Sequence, residues 1–214
     1  MGGQIEMRCR CGKVRGVVTN ASPRTVNRIT CYCNDCQAFV HHLGRADLLN
    51  EKGGSDIVQV APATFRLTAG EDRIAGVRLS PKGLYRWHTT CCNTPVGNTL
   101  GPGVPFVGLL APTFDVPRPD DIIGPPTGAL LGKFAVGEPP AGSTSTNLPL
   151  LLRAIARIFG WKFGGKTWPH PFFSRETREP THPVTVLSKE QRDALRPFCG
   201  PTPTAQAVHQ SAGA

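Results

Sequence analysis

The chain has 214 residues, with 24 Lys and Arg against 15 Asp and Glu (formal net charge +9), and contains 21 Pro, 24 Gly and eight Cys. This length holds one sizeable domain with an extension, and the frequent Pro and Gly speak against a helix-rich architecture and for many turns and short strands. The basic residues stand singly, with no run of four; this argues against a nucleic-acid binder, whose charge gathers in a stripe, and fits attraction of small anionic ligands.

The N-terminal stretch has no apolar run, so no secretory signal is expected and the predicted compartment is the cytoplasm, where thiols stay reduced. Strands are predicted at Lys13–Thr19, Val26–Cys31, Ile57–Val60, Thr64–Thr68, Gly76–Leu79 and Leu84–His88. Ser80-Pro81-Lys82-Gly83 joins the last two as a hairpin turn. Ala38–Leu49 is the helical stretch of this half, and Val104–Leu110 is one more buried strand. Trp87, Tyr85 and Phe65 read as core aromatics.

Residues 115–147 are dense in Pro, Gly, Ser and Thr and read as a long surface excursion. Asn147 is placed to cap a helix that runs to Phe159 and stops at Gly160. Arg153 and Arg157, four apart, mark it as amphipathic. Its apolar face is expected to pack on the β domain in preference to a membrane or a partner. The two arginines also make it too charged to span a bilayer, and it is too short, so no membrane span is expected. Val184–Leu187 is a short strand, and Ser188 to Gln191 forms a capping box opening a last short helix. The predicted organisation is a β domain over residues 1–112, an extension with two short helices over 113–200, and a disordered tail over 201–214.

Seven of the eight cysteines fall in three clusters: Cys9-Arg-Cys11-Gly12, Cys31-Tyr-Cys33-Asn-Asp-Cys36 and Cys91-Cys92-Asn-Thr94-Pro95. Residues two apart on a strand point the same way, so Cys9 and Cys11 can offer both sulfurs to one ion. Cys33 and Cys36 have the tight-turn spacing of zinc knuckles. Together with Cys31 they give three converging sulfurs, and three protein ligands on a tetrahedral ion leave one position for water or substrate. Buried apolar thiols, a redox dithiol and an iron–sulfur centre are the competing readings of the same residues. Cys199 stands alone as an incidental thiol.

The order of the three clusters resembles the glutathione-dependent formaldehyde-activating family, whose pattern has an early C-x-C-G, a central C-x-C-x-x-C and a late C-x-x-C-G-T-P. The similarity spans roughly residues 5–100 and is nearest to a branch whose late motif is Cys-Cys-Asn-Thr-Pro. The resemblance implies a mainly β fold, the Mss4-like β-tent. It implies a structural zinc on Cys9, Cys11 and Cys92, with Cys91 or His88 as fourth ligand because Thr89 stands where the first late cysteine belongs. It further implies a second zinc on Cys31, Cys33 and Cys36, the catalytic set, whose open position meets the sulfur of glutathione. The implied activity is that of a carbon–sulfur lyase acting on glutathione and formaldehyde or on their adduct; the alternative is a noncatalytic zinc-stabilised binding protein of the same fold. Tyr32 and Gln37 replace a His and an Arg of the family pattern, at positions expected near the substrate sulfur. His41 and His42 are the acid–base candidates nearest in sequence, and Asp35 is expected to order the knuckle.

Overall fold

The computed structural model describes residues 2–145 and 147–206. In chain order its strands and helices are β1 (Gly3–Arg8), β2 (Arg15–Ala21), β3 (Asn27–Cys31), α1 (Asn34–His42), β4 (Ser55–Val60), β5 (Phe65–Ala69), β6 (Ile74–Arg78), β7 (Tyr85–Thr89), β8 (Pro95–Thr99), β9 (Val107–Leu110), α2 (Asp120–Ile123), β10 (Ala129–Leu130), α3 (Leu148–Phe163), β11 (Val184–Val186) and α4 (Lys189–Ala194). The protein is mainly β with a helical extension. A three-stranded sheet has the order β1-β2-β5, and an eight-stranded sheet the order β10-β3-β4-β9-β8-β7-β6-β11. The inner strands of the large sheet are antiparallel. Its two edges, β10 on β3 and β11 on β6, are parallel additions from the extension.

Alternation of side chains along each strand gives the large sheet two different faces. One face carries Val58, Val60, Ile74, Trp87, Val96 and Leu109 against Ile5, Met7, Val18 and Phe65 of the small sheet. Trp87 is fully buried. It stacks on Phe172 at 4.6 Å between ring centroids and meets Phe173 edge-on. Two residues of the extension therefore complete the β core, and Trp87 and Phe65 are core aromatics, with Tyr85 partly buried against them. The other face carries Val77, Leu79 and Leu110 against Phe39, Val40 and Leu43 of α1.

The sequence leaves β1 and β8 unmarked. β8 is buried along its whole length, so the polar–apolar alternation that betrays a half-exposed strand is absent. Helix α1 begins four residues before the predicted start, because the Cys33 sulfur caps it by accepting from the Cys36 N–H at 3.3 Å. The stretch 115–147 is not a free excursion. Arg28, itself buried, donates to both oxygens of Asp56 at 3.0 and 2.6 Å, to Asp120 at 2.6 Å and to the Gly124 carbonyl at 2.7 Å. Removing one partner of a buried charge network strands the others without compensation. The Arg28→Ala protein is expected to lose about 3 kcal/mol of unfolding free energy, read from its urea midpoint at unchanged slope; a loss under about 1 kcal/mol would mean that this arginine does not hold the loop.

The Asn147 cap is present, its side chain accepting from the Leu150 N–H at 3.1 Å, and so is the Ser188–Gln191 capping box. Two features of α3 differ from expectation. It runs through Gly160 to Phe163, and only Leu150 and Trp161 of its sixteen residues are buried. Leu148, Leu151, Leu152, Ile155, Phe159 and Phe163 stand exposed, so most of the apolar face is not packed on the β domain. No helix among the described residues is long and apolar enough to cross a membrane. Of the last fourteen residues, 201–206 are described and include the buried Ala205; the remainder of the predicted tail lies outside the described residues.

Candidate metal centre

The seven clustered cysteines form two groups. Cys9, Cys11, Cys91 and Cys92 make one, and Cys31, Cys33 and Cys36 the other; within each group the sulfurs all lie within 4.8 Å of one another. Both groups could hold a metal ion.

The first group joins the turn after β1 to the turn between β7 and β8. Gly12, at φ +75°, lets the chain reverse, and its N–H donates to the Cys9 carbonyl at 2.8 Å. The Val14 N–H then donates to the Cys9 sulfur at 3.2 Å. Adjacent Cys91 and Cys92 can share a site only if the strand breaks there. It does: both lie in the turn after Thr89, closed by Asn93 at φ +53° with its N–H on the Thr89 carbonyl at 3.0 Å. His88 does not join the group. The S···S separations are 3.6 Å for Cys9–Cys11, 4.0 Å for Cys9–Cys91, 3.4 Å for Cys11–Cys91 and 3.8 Å for Cys91–Cys92. A tetrahedron with metal–sulfur bonds of about 2.3 Å has edges of about 3.8 Å, so the four sulfurs fit such an ion. They are too far apart for disulfides, whose sulfurs stand about 2.05 Å apart.

Thr94, two residues after Cys92, organises this site. Its hydroxyl oxygen accepts from the Arg10 N–H and from Arg45 Nη1, both at 3.0 Å, which leaves its proton for the Cys92 sulfur at 3.3 Å. Burial pushes the Cys92 thiol up, but hydrogen bonds from Thr89 and Thr94 outweigh it and bring the thiol down to about 5. Arg45 is buried and donates from Nε and Nη2 to the two carboxylate oxygens of Asp47, each at 2.8 Å.

The second group sits on the α1 side of the large sheet. One cross-strand row runs Asn27, Gln59, Gly108, Asn98, Arg86, each residue opposite the next. Gly108 at its centre has no side chain. A β-carbon there would come within 3.0 Å of Ile57 and 3.1 Å of Phe106, so the glycine keeps the floor hollow. Above it lies a cavity of about 460 Å³, walled by Ile29, Ile57, Phe106, Leu130 and Phe134, with Gln59, Asn98 and Arg86 on the floor and Arg196 at the side. Cys31 ends β3 and faces this space, and Cys33 and Cys36 enter it from the first turn of α1.

Among the described residues no fourth Cys, His, Asp or Glu completes this group. Arg86, almost wholly buried, is its counter-charge. Its Nη1 lies 3.8 Å from the Cys36 sulfur and donates to Asn98 Oδ1 at 3.2 Å, and its Nη2 is 3.8 Å from Asp35. Of the three thiols, Cys36 is held well below its ordinary value, by hydrogen bonds from Cys31 and Cys33 and then by the Arg86 charge. The N-terminus of α1 adds a favourable field.

Several expectations about neighbouring residues change. Gln37 does not face the cavity. It is fully buried and staples α1 to the extension, donating to the Tyr32 and Phe134 carbonyls at 2.7 and 2.9 Å and accepting from the Gly200 N–H at 2.9 Å. Tyr32 is buried and its hydroxyl accepts from Asn50 at 3.0 Å. Neither His41, stacked on Phe198, nor His42 lines the cavity. Asp35 does, and it pairs with Arg86. Cys199 is buried against α1, its thiol donating to the Asn34 carbonyl at 3.4 Å, and burial pushes it up to about 11. The residue sequence reasoning missed is Arg86, which reads in β7 as the ordinary polar position between Tyr85 and Trp87 and is instead buried on the second face of the sheet.

No curated protein matches the chain. A crystal structure of a Rhodobacter sphaeroides protein, solved as a structural-genomics target, is similar over 58% of this chain and 98% of its own, at 13% identity and a TM-score of 0.40. The family of unknown function DUF6151 matches residues 1–181. That region takes in both cysteine groups and also α3 and the Phe172–Phe173 pair, well beyond residue 100, where the motif pattern ends. The chain therefore belongs to the DUF6151 family.

Proposed function

We propose that this is a zinc protein whose two sites have different duties. Cys9, Cys11, Cys91 and Cys92 form a closed structural site, and Cys31, Cys33 and Cys36 hold a second zinc that receives an external thiol. The observation that carries this reading is the contrast between four sulfurs in one group and three sulfurs facing a cavity in the other. Cysteine-only donor sets favour zinc or iron–sulfur ligation, and the tetrahedral fit of single sulfurs around one point favours zinc.

The ion supplies one thing when bound: it stabilises the thiolate of an incoming thiol near neutral pH. The chain supplies the rest. Three cysteinates on a divalent ion already leave one negative charge, and a fourth thiolate adds another; Arg86 is placed to offset it. The apolar walls exclude water from the reacting sulfur. Arg196 at the side and the positive balance of the chain favour an anionic thiol. Following the resemblance, that thiol is glutathione or its formaldehyde adduct, and the reaction is of the carbon–sulfur lyase type. The carbon–sulfur bond of the adduct breaks, sulfur keeps the electron pair, and the hydroxyl proton passes to solvent as formaldehyde leaves.

A noncatalytic binding role is the second reading. What favours it is that, among the described residues, Asp35, already paired with Arg86, is the one carboxylate lining the cavity, and no histidine lines it. Zinc-edge absorption tests the shared part. Adding glutathione is expected to add one sulfur to the average coordination of the second zinc; an unchanged spectrum at saturating thiol would discard the thiol-binding reading. Release of formaldehyde from the adduct then separates enzyme from binder.

A further inference from the structure

We propose that α3 seats this protein on an anionic phospholipid surface, with acyl chains against its apolar stripe and a headgroup phosphate in the cation-lined hollow beside it. Six exposed residues carry the first half. Leu148, Leu151, Leu152, Ile155, Phe159 and Phe163 are each between 40% and 85% exposed. At about 100° per residue they fall within an arc of about 120° along one side of the helix. Phe159 and Phe163 stack at 6.2 Å, closing the stripe at its C-terminal end. The helix is fixed to the body by Leu150 and Trp161 and by Lys162, whose Nζ donates to the Gly103 carbonyl at 2.7 Å, so the stripe is held outward as a convex ridge.

The hollow carries the second half. Arg24, Arg153, Arg157 and Lys166 line a cavity of about 470 Å³, and among the described residues no carboxylate lines it. None of the four forms an ion pair among the described residues. From Pro139 to Arg175 the chain has five Arg and Lys and no Asp or Glu. Small residues, Ala156 and Gly160, separate the hollow from the stripe on the helix surface, so one phospholipid can meet both.

Charge decides between occupants. Two copies of α3 packed stripe to stripe would cover the apolar residues but leave Arg24, Arg153, Arg157 and Lys166, which lie away from the stripe's centre, without a counter-charge, whereas an anionic bilayer complements both stripe and hollow. Sixteen residues interrupted by two arginines lie in the interface and do not cross it.

Vesicle flotation of the full chain tests this. Phosphatidylcholine vesicles containing about a third phosphatidylglycerol are expected to retain the protein about tenfold better than phosphatidylcholine alone, with retention falling as salt rises. The Leu152→Glu/Phe159→Glu and Arg153→Glu/Arg157→Glu proteins should each lose about tenfold of that retention while keeping the metal content of the parent. Because these positions lie near the surface, unchanged metal content reports an intact fold. A Phe159→Trp protein gives an independent reading: its added tryptophan emission should shift to the blue with the anionic vesicles. The proposal is overturned by no retention on anionic vesicles, by retention that both double variants leave unchanged, or by inorganic phosphate binding in the hollow without vesicle binding. A dimer that the stripe variant dissociates, with no vesicle retention, would assign the face to a second copy and overturn it equally.

Discussion

Replacing Cys9 by serine is expected to unfold the protein. Cys9 is buried, and its sulfur meets that of Cys91, 82 residues away in the chain. The group thus ties the turn after β1 of the small sheet to the β7–β8 turn of the large sheet. Structural zinc sites in small thiolate domains are worth about 10–16 kcal/mol, whereas a whole domain is stable by about 5–15 kcal/mol. If the group holds zinc as proposed, losing one of four ligands is expected to remove enough of that binding energy to leave the folded state in the minority. The serine also leaves the Val14 N–H and two partner thiols in poorer environments. We expect the Cys9→Ser protein to retain at most the second zinc by metal analysis and to lose its cooperative thermal transition, and a strong chelator to do the same to the parent. A Cys9→Ser protein with the parent's melting temperature would remove the structural role from this site.

The Arg86→Met protein is expected to fold, to keep the first zinc and to lose thiol binding. Met matches much of the volume and apolar stem of Arg, so packing against Phe39 survives. What disappears is the cation 3.8 Å from the Cys36 sulfur in a nearly water-free position. A buried charge stripped of its partner costs about 3 kcal/mol, which is about a hundredfold in affinity. Glutathione titration by calorimetry should therefore show affinity reduced about a hundredfold, and Arg86→Lys should recover part of it, since the charge returns without the planar fork that reaches Asn98. Equal affinity in parent and Arg86→Met would show that the tripod needs no counter-charge from this side chain.

The helix starts capped by the oxygens of Asn147 and Ser188 were legible in the sequence, and the start of α1, capped by the Cys33 sulfur, was not. Asn147 and Ser188 act through bonds to residues three positions on, so no distant part of the chain is needed to place them. The length of α3 was not, because Gly160 is only mildly unfavourable within a helix and the contacts of Trp161 carry the helix past it. Nor was the outward face of α3. Amphipathic spacing tells that a stripe exists and cannot tell which side of the helix meets the body, since the buried pair Leu150 and Trp161 lies on a different side from the six exposed residues. The contribution of the extension to the core was illegible for a similar reason. Phe172 and Phe173 sit among prolines and polar residues, and only the stacking of Phe172 on Trp87 shows them to be core.

The sulfur groupings divide in the same way. Period two on a strand and the knuckle turn are local geometry, so the convergence of Cys31, Cys33 and Cys36, and of Cys9 with Cys11, follows from spacing alone. The union of Cys9 and Cys11 with Cys91 and Cys92 depends on where β1 and the β7–β8 turn meet. The placement of Arg86 beside Cys36 depends on the strand order β3-β4-β9-β8-β7 and on the register that sets Arg86 opposite Asn98. Strand pairing brings together residues tens of positions apart through backbone bonds that any side chain allows, so the counter-charge and the hollow over Gly108 belong to the tertiary structure alone.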